Sequence, residues 1–565
     1  MITSLKKLFK LLSKRERIKF YFLLVLMILG ALFEIMGIGS IPAFVYLISE
    51  PDNFFELFPF INDSFSGNQS NFFIIASFSL IVLFLIKNIF VSYVNYLKNK
   101  ISFNQQVSLG HKLFKTYINA DWNFHINKNS AELLRNVNNE IQIIINNVLI
   151  PFLGIAMDSL LIISAFLLLF LVEPFISLIT VIVFGCAAFL FIFLSSKKLR
   201  VFGRKELVER KNRNKIVMQV LGGLKELKIY QKLDFFTEKY LFSAKKTAKA
   251  QTYRHFTGFL PKPFLETFAI VSVFLISIIA TLQGRSLNSM LPVIALFAAA
   301  AVKILPAAKQ ILTNFSLIRF NHIAVSSIYD DIKEAESHIN INNGSNKKDQ
   351  SFSFTETVSI NLVSFKYPDK KSYVLKDKNI EIKKGGFYLL EGKSGIGKTT
   401  LLEIICGILK PQSGTILIDG KNMYENLNLW QKKIGYVPQN VFFFDSSIIK
   451  NIAPGENTSD INLSLCEEAI QLSCLESFVE SLPLGLHSKI GERGIKISGG
   501  QRQRIGLARA LYQQPELLIL DEALSEVDAE TENEILHNIR KIDGITIIYV
   551  SHKTINITDF VTLSI

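Results

Sequence analysis

The chain is poor in cysteine, and its four thiols (Cys186, Cys406, Cys466 and Cys474) have neither paired nor metal-ligand spacing. That argues against a disulfide-stapled secreted fold and a thiolate metal site, and fits a reduced, cytosol-facing chain. A secretory leader pattern is also missing, because the first apolar run is too long and no small-residue cleavage site follows it. No short-period repeat is visible. Basic residues are absent from one stretch in particular: residues 49–70 contain no Lys or Arg, although the whole chain carries 62 Lys and Arg against 48 Asp and Glu, a formal +14. A charge of that sign raises the question of nucleic acid. The basic residues flank apolar spans rather than forming one face, so the charge reads as membrane topology and no nucleic-acid partner is expected.

What the chain has in quantity is apolar residues, 49% of its 565. They concentrate before residue 315 and raise the mean hydropathy to +0.31. Six runs near the ~20 residues needed to cross a bilayer are expected at 20–48, 71–97, 148–172, 175–194, 256–282 and 287–312. The turns after the third and fifth runs are very short. By contrast, 98–147 and 195–255 are long, and the second is rich in Lys and Arg. Positive-inside logic places both long connections and both termini in the cytoplasm, with 49–70 outside. Residues 1–19 set Leu5, Leu8, Phe9 and Leu12 on one helical stripe among lysines and arginines, the pattern of a helix lying on a membrane surface. The expected divisions are this helix at 1–19, a transmembrane domain over 20–325 and a linker over 326–355. A nucleotide-binding domain of alternating strands and helices follows over 356–565.

The octet Gly392-Lys393-Ser394-Gly395-Ile396-Gly397-Lys398-Thr399 fits the loop that cradles nucleotide phosphates, between an apolar strand and a helix beginning near Thr400. Its glycines let backbone N–H groups close around a phosphate at the helix N-terminus. Lys398 suits the terminal phosphate oxygens, and Thr399 suits Mg2+. Further along, 517–520 reads as a buried strand ending in Asp521 and Glu522. Asp521 suits Mg2+, and Glu522 suits positioning or deprotonating a water. Gln439 is a neutral group able to contact metal and water. His552 follows the last strand, where a ring nitrogen suits the terminal phosphate. Tyr367 suits stacking on adenine. Taken one at a time, the last three are ordinary surface or packing residues.

The stretch Ile497-Ser498-Gly499-Gly500-Gln501 decides the reading. Here the sequence resembles the ATP-binding cassette transporters, whose signature is Leu-Ser-Gly-Gly-Gln; Ile497 keeps the apolar anchor. The resemblance implies the exporter-type (type IV) fold, an all-α six-helix transmembrane domain fused to an α/β P-loop cassette. It also implies that two copies sandwich ATP, with Ser498, Gly499, Gly500 and Gln501 of one facing the nucleotide of the other. Ser525-Glu526-Val527-Asp528 looks like the loop between cassettes, usually Ser-Ala-Leu-Asp, so Glu526 is a departure. Glu492 matches an acidic position before the signature. The coupling helices of the family would fall near 121–128 and 221–232.

Within the family, Asp121-Trp122-Asn123-Phe124-His125-Ile126-Asn127-Lys128-Asn129-Ser130-Ala131-Glu132 is similar to the first coupling region of PglK-like flippases for lipid-linked oligosaccharides. Nothing resembling a cysteine peptidase precedes the spans, which disfavours peptide exporters. The expected activity is ATP hydrolysis coupled to movement of a lipid-linked glycan precursor across a bacterial inner membrane. The alternative is a multidrug or lipid exporter of the same class. Three lysines fall inside spans: Lys87, Lys262 and Lys303. Each costs on the order of 3 kcal/mol at a helix centre. At ~1.5 Å per residue they lie towards the inner leaflet. They suit a cationic cavity for a pyrophosphate headgroup, with snorkelling as the plainer account, and Glu34, Asp158 and Glu266 as possible partners. The topology has a direct check. A cysteine at Ser66, in a background without the native four, should react with an impermeant thiol reagent from outside the cell only; labelling confined to inverted vesicles would refute the assigned orientation.

Overall fold

The computed structural model describes residues 2–49, 51, 54, 69–267, 270–271, 274, 287–339, 352–367, 370, 372–393, 395–491, 497–552 and 559–564. They form two compact units, Met1–Ala120 with Phe124–Ile339, and Asp121–Asn123 with Asn340–Ile565. The fold class is as expected: a helical transmembrane region joined to an α/β domain.

The helices before residue 340 are α1 (Ile2–Leu11), α2 (Lys14–Ser49), α3 (Gln69–Asn119), α4 (Trp122–Asn127), α5 (Ser130–Val172), α6 (Pro174–Gly222), α7 (Leu224–Ile229), α8 (Leu233–Phe259) and α9 (Leu287–Ser337). Among the described residues, α2, α3, α5, α6 and α9 each contain a stretch long and apolar enough to cross a bilayer. The second half of the expected span at 256–282 lies mostly outside the described residues, and so does most of the external segment at 50–70. Although α2 is apolar on every side, its buried positions Phe20, Leu23, Met27, Gly30, Glu34 and Gly37 recur every three or four residues. That is one helical face turned to protein, while Phe22, Val25, Leu29, Leu32 and Met36 stay uncovered for lipid. At Glu173 the chain reverses in one residue. Pro174 at the first position of α6 fixes φ where no N–H is needed. Gly203 in α6 is required by packing, since a Cβ there would coincide with the Phe320 carbonyl of α9.

Two expectations are corrected. The apolar stripe of α1 is covered by protein rather than left open to lipid: Leu8, Leu11 and Leu12 are buried in the core formed with α2, α3, α5 and α9. Their spacing was right, but the surface they cover is protein. Nor is 326–337 a linker. Helix α9 continues to Ser337, because Val325, Ile328, Ile332 and Ala335 form a buried stripe at helical spacing. Charged neighbours mask that stripe in the sequence. One of them, Asp331, accepts hydrogen bonds from the Tyr117 hydroxyl, from Asn136 Nδ2 at 2.8 Å and from Lys128 Nζ at 2.9 Å. Glu140, in a π-turn of α5, is likewise flanked by Arg135 and Arg210, each at 3.4 Å. These networks pin the helices together at their polar ends.

The second unit holds two sheets. The antiparallel one has the order β2 (Leu375–Lys383), β1 (Thr357–Phe365), β4 (Ser413–Ile418), β5 (Lys421–Asn422). The parallel one has the order β6 (Ile434–Val437), β7 (Leu517–Asp521), β8 (Thr546–Val550), β3 (Phe387–Glu391), β9 (Val561–Ser564). Both β7 and β8 are buried along their whole length, as their unbroken apolar runs require. The helices that matter here are α10 (Lys398–Ile405), α11 (Leu463–Leu472), α12 (Gly499–Tyr512) and α13 (Ala529–Arg540). Phe352 and Phe354 belong to the core of this unit, so it begins before residue 356.

Candidate nucleotide site

Strands β3, β6, β7 and β8 run parallel, so the segments that follow them emerge on one side of the sheet. After β3 comes the phosphate loop, and α10 begins at Lys398. Gly397 has φ +116°, and a Cβ there would come within 2.9 Å of Val374 Cγ1, so both backbone and space demand glycine. Lys398 is buried, and its ammonium donates to the Gly392 carbonyl at 2.8 Å, closing the loop on itself. Ser394 lies outside the described residues. Gly392, Lys393, Gly395, Ile396, Thr399 and Thr400 occupy the expected positions around the loop.

Asp521 ends β7 at 3% exposure. Burial holds its carboxyl above the usual range, opposed by a hydrogen bond with Thr399 and raised further by the Glu522 charge. Glu522, the next residue, has φ +51°. A non-glycine residue there is strained by about 1–3 kcal/mol, a cost retained where side-chain direction matters. The turn aims its carboxylate between two partners. Gln439 Nε2 donates to Oε2 at 2.6 Å, and His552 Nε2 lies 2.9 Å from Oε1. His552 Nε2 is also 3.5 Å from Lys398 Nζ. Gln439, Lys398, Glu522 and His552 therefore form one connected chain of contacts drawn from four strand ends. Tyr367 donates to, or accepts from, Thr400 Oγ1 at 3.0 Å, and its ring sits edge-on to Phe365 at 5.1 Å. Tyr436 is a residue that sequence reading missed. It hydrogen-bonds Asp521, and its hydroxyl pKa is raised, chiefly by burial. Its place two residues before Pro438 was the available signal.

The arrangement suits a polyphosphate and a hard cation. Thr399, Gln439 and Asp521 offer only oxygen or amide donors, the set Mg2+ prefers. Among the described residues there is no cluster of three His, Cys, Asp or Glu able to cage a metal alone. A cation here would therefore be shared with phosphate oxygens.

The signature residues sit elsewhere, at the N-terminus of α12. Ser498 Oγ accepts from Gln501 N at 3.2 Å and Gln501 Oε1 from Ser498 N at 2.9 Å, a reciprocal cap. Among the described residues, no hydrogen bond or ion pair joins them to the phosphate loop. Glu492 lies outside the described residues.

In the membrane unit, the three span lysines separate. Lys87 is 1% exposed and donates to Glu34 Oε2 at 3.0 Å; Lys303 approaches the same carboxylate at 3.4 Å. Gly37 leaves the space, since a Cβ there would lie 3.0 Å from Lys87 Nζ. Lys262 does not join them. It is more than half exposed and pairs with Glu266 at 3.9 Å, in a crevice of about 310 Å³ that Lys309 also lines. Asp158 is not a partner of the three; its cation is Lys98.

The ABC transporter model matches residues 375–525, and the ABC transporter transmembrane-region model matches 27–300. The chain belongs to the ABC transporter family. The solved structure of a bacterial Atm1-family ABC exporter with ATP bound aligns over 95% of this chain and 91% of its own, with TM-score 0.72 and 17% identity, a likeness of fold. The heterocyst differentiation ATP-binding protein HepA of Nostoc is 40% identical over 34% of this chain and 32% of its own length. The ATP-dependent lipid A-core flippase of Alkalilimnicola ehrlichii is 38% identical over 36% and 34%. These matches span about a third of each relative. That of Ralstonia nicotianae is 24% identical over 82% of this chain and 76% of its own.

The phosphate loop of this ABC chain has a sharp test. Gly397→Ala should weaken binding of a fluorescent ATP analogue roughly 10- to 100-fold, the equivalent of the backbone strain, without lowering the melting temperature by more than a few degrees. Unchanged affinity would show that the left-handed turn is not what shapes the site.

Proposed function

We propose that this chain is one half of an ATP-driven exporter that acts as two identical copies. It moves a lipid-linked oligosaccharide or polysaccharide precursor from the cytoplasmic to the external leaflet of a bacterial inner membrane. Both termini and the cassette are then cytoplasmic. The observation that carries the hydrolytic half is Glu522, held by Gln439 on one oxygen and His552 on the other. Each carboxylate oxygen keeps a lone pair for a water, and the pair of contacts fixes the direction in which that water is polarised. Lys398 supplies positive charge at the phosphate loop, and His552 links it to Glu522. Mg2+, held through Thr399, Gln439 and Asp521, supplies charge neutralisation at the phosphates. Ser498, Gly499, Gly500 and Gln501 would meet ATP on the second copy. In the membrane, Lys87 and Lys303 converge on a single Glu34, which leaves one net positive charge among apolar helices. That excess suits an anionic headgroup. The relatives called lipid A-core flippases support a lipid-borne substrate. The second reading, a multidrug or lipid exporter, is favoured by the separation of Lys262 from the other two lysines, which divides the expected cationic cavity.

Glu522→Gln keeps the shape and removes the base. Phosphate release by purified protein in lipid should fall at least ~100-fold while ATP still binds. Near-normal turnover would take Glu522 out of the mechanism. For the substrate, Lys303→Gln should slow flipping of a pyrophosphate-linked glycolipid on the order of tenfold and leave basal ATP hydrolysis within about twofold. Lys87→Gln should also destabilise the chain, because it exposes a buried carboxylate to weaker compensation. Flipping at the parental rate in Lys87→Gln, Lys262→Gln and Lys303→Gln, singly and combined, would leave the lipid-linked glycan reading without its cationic site.

A further inference from the structure

Glu526 is the departure from the usual loop between cassettes, and the structure shows where its carboxylate goes. The side chain folds over the start of α12, so close that a Cβ on Gly499 would coincide with Glu526 Oε2. Its own carbonyl oxygen would lie 2.9 Å from a Cβ on Gly500. The backbone is fixed there by a buried glutamine. Gln503, 3% exposed, accepts from Glu526 N at 2.8 Å through Oε1 and donates to Ser525 Oγ at 2.9 Å through Nε2. The carboxylate itself is loosely held: it is 56% exposed, and its cation is Arg502, at 3.8 Å. A pinned main chain thus carries an exposed charged arm over the first glycine of the signature.

Two facts of electrostatics give that arm a consequence. The N-terminus of a helix as long as α12, with 14 residues, attracts negative charge, and Glu526 supplies it from within the chain. A phosphate arriving at Ser498, Gly499 and Gly500 meets a like charge already over the first glycine. We propose that Glu526, only partly neutralised by Arg502, is an electrostatic gate on the signature helix, which raises the ATP concentration needed for two copies to close. This rests on the two-copy reading above. Gly499 serves the gate as well as the phosphate, because any side chain there would expel the carboxylate. Asp528 is not part of it, since that carboxylate caps α13 by accepting from Thr531 N at 2.9 Å.

The test uses the full chain carrying Glu522→Gln in phosphatidylcholine vesicles, with Mg2+ and ATP titrated and the ATP retained after rapid desalting measured. Adding Glu526→Gln should lower the half-saturating ATP roughly five- to tenfold at an unchanged maximum. Glu526→Asp, which keeps the charge, should stay near the parent. Raising salt from about 0.02 to about 0.3 M should narrow the difference in half-saturation between the parent and Glu526→Gln, because it screens the repulsion that only the parent has. Arg502→Gln should raise it, and lose that effect once Glu526→Gln is present. In chains that keep Glu522, Glu526→Gln should lower KM for ATP and change kcat by less than about twofold. A parent that retains ATP along the same curve with and without Glu526→Gln overturns the gate alone. An Asp variant that shifts as far as the Gln variant assigns the effect to side-chain shape and also overturns it. A parent that retains no ATP at any concentration overturns the two-copy reading together with the gate.

Discussion

The parallel pairing of β6, β7, β8 and β3 decides which residues of the candidate nucleotide site meet. Val437 pairs with Leu520, Asp521 with Val550, and Leu389 with Tyr549, so the four strands finish almost level. A parallel strand sends its following segment out at the same edge as its neighbours, and ligands of open α/β sheets sit beyond that edge. Gln439, Asp521 with Glu522, the phosphate loop and His552 are scattered through the sequence, with Lys398 and His552 154 residues apart. They meet because of that one registry. The same burial that makes β7 and β8 rigid also raises the Asp521 carboxyl, since the strand carries its last charge into the apolar layer. Rigidity and electrostatic tuning are two results of the same sheet.

The membrane unit faces the opposite requirement. Apolar surface turned to lipid gains nothing from burial, so the helices are located by small residues and by paired charges. Gly37 makes room for Lys87, Glu34 balances it, and Gly203 lets α6 reach the backbone of α9. Towards the polar ends, Asp331 and Glu140 each gather several donors. A lone buried charge there would cost several kcal/mol, whereas a shared one fixes a geometry.

Much of this was legible in the residues, and the limits have physical causes. The phosphate loop, the strand ending in Asp521 and Glu522, and the signature are local patterns whose chemistry depends on neighbours in sequence. The contacts of Gln439 and His552 with Glu522 depend on strand order, which spacing alone does not give. The stripe of α1 was read with its correct period and the wrong neighbour, because periodicity says which face is covered and not by what. The buried run from Val325 to Ala335 was missed for a related reason: Asp331, Lys333 and Glu334 lower the local hydropathy, although Asp331 and Glu334 serve as partners of Lys128. The lysines show the same limit. Depth along a span placed Lys87, Lys262 and Lys303 at a similar level, but the direction of each side chain depends on which helix faces it. Only two of them share Glu34.

Glu526 is a different case, because the sequence marked it as unusual and the structure gives the oddity a place. Residues Ser525 and Glu526 are fastened to the first turns of α12 through Gln503, which ties the loop to the signature helix. Any charge at position 526 is therefore delivered to the signature glycines whatever the rest of the loop does. An alanine, the usual residue there, would leave the helix end open to an arriving phosphate; a glutamate makes the chain compete with its own ligand. Competition of this kind changes the concentration at which a site fills without changing what happens once it is full. Selection at position 526 can thus tune the response to ATP while Glu522 and its partners stay untouched.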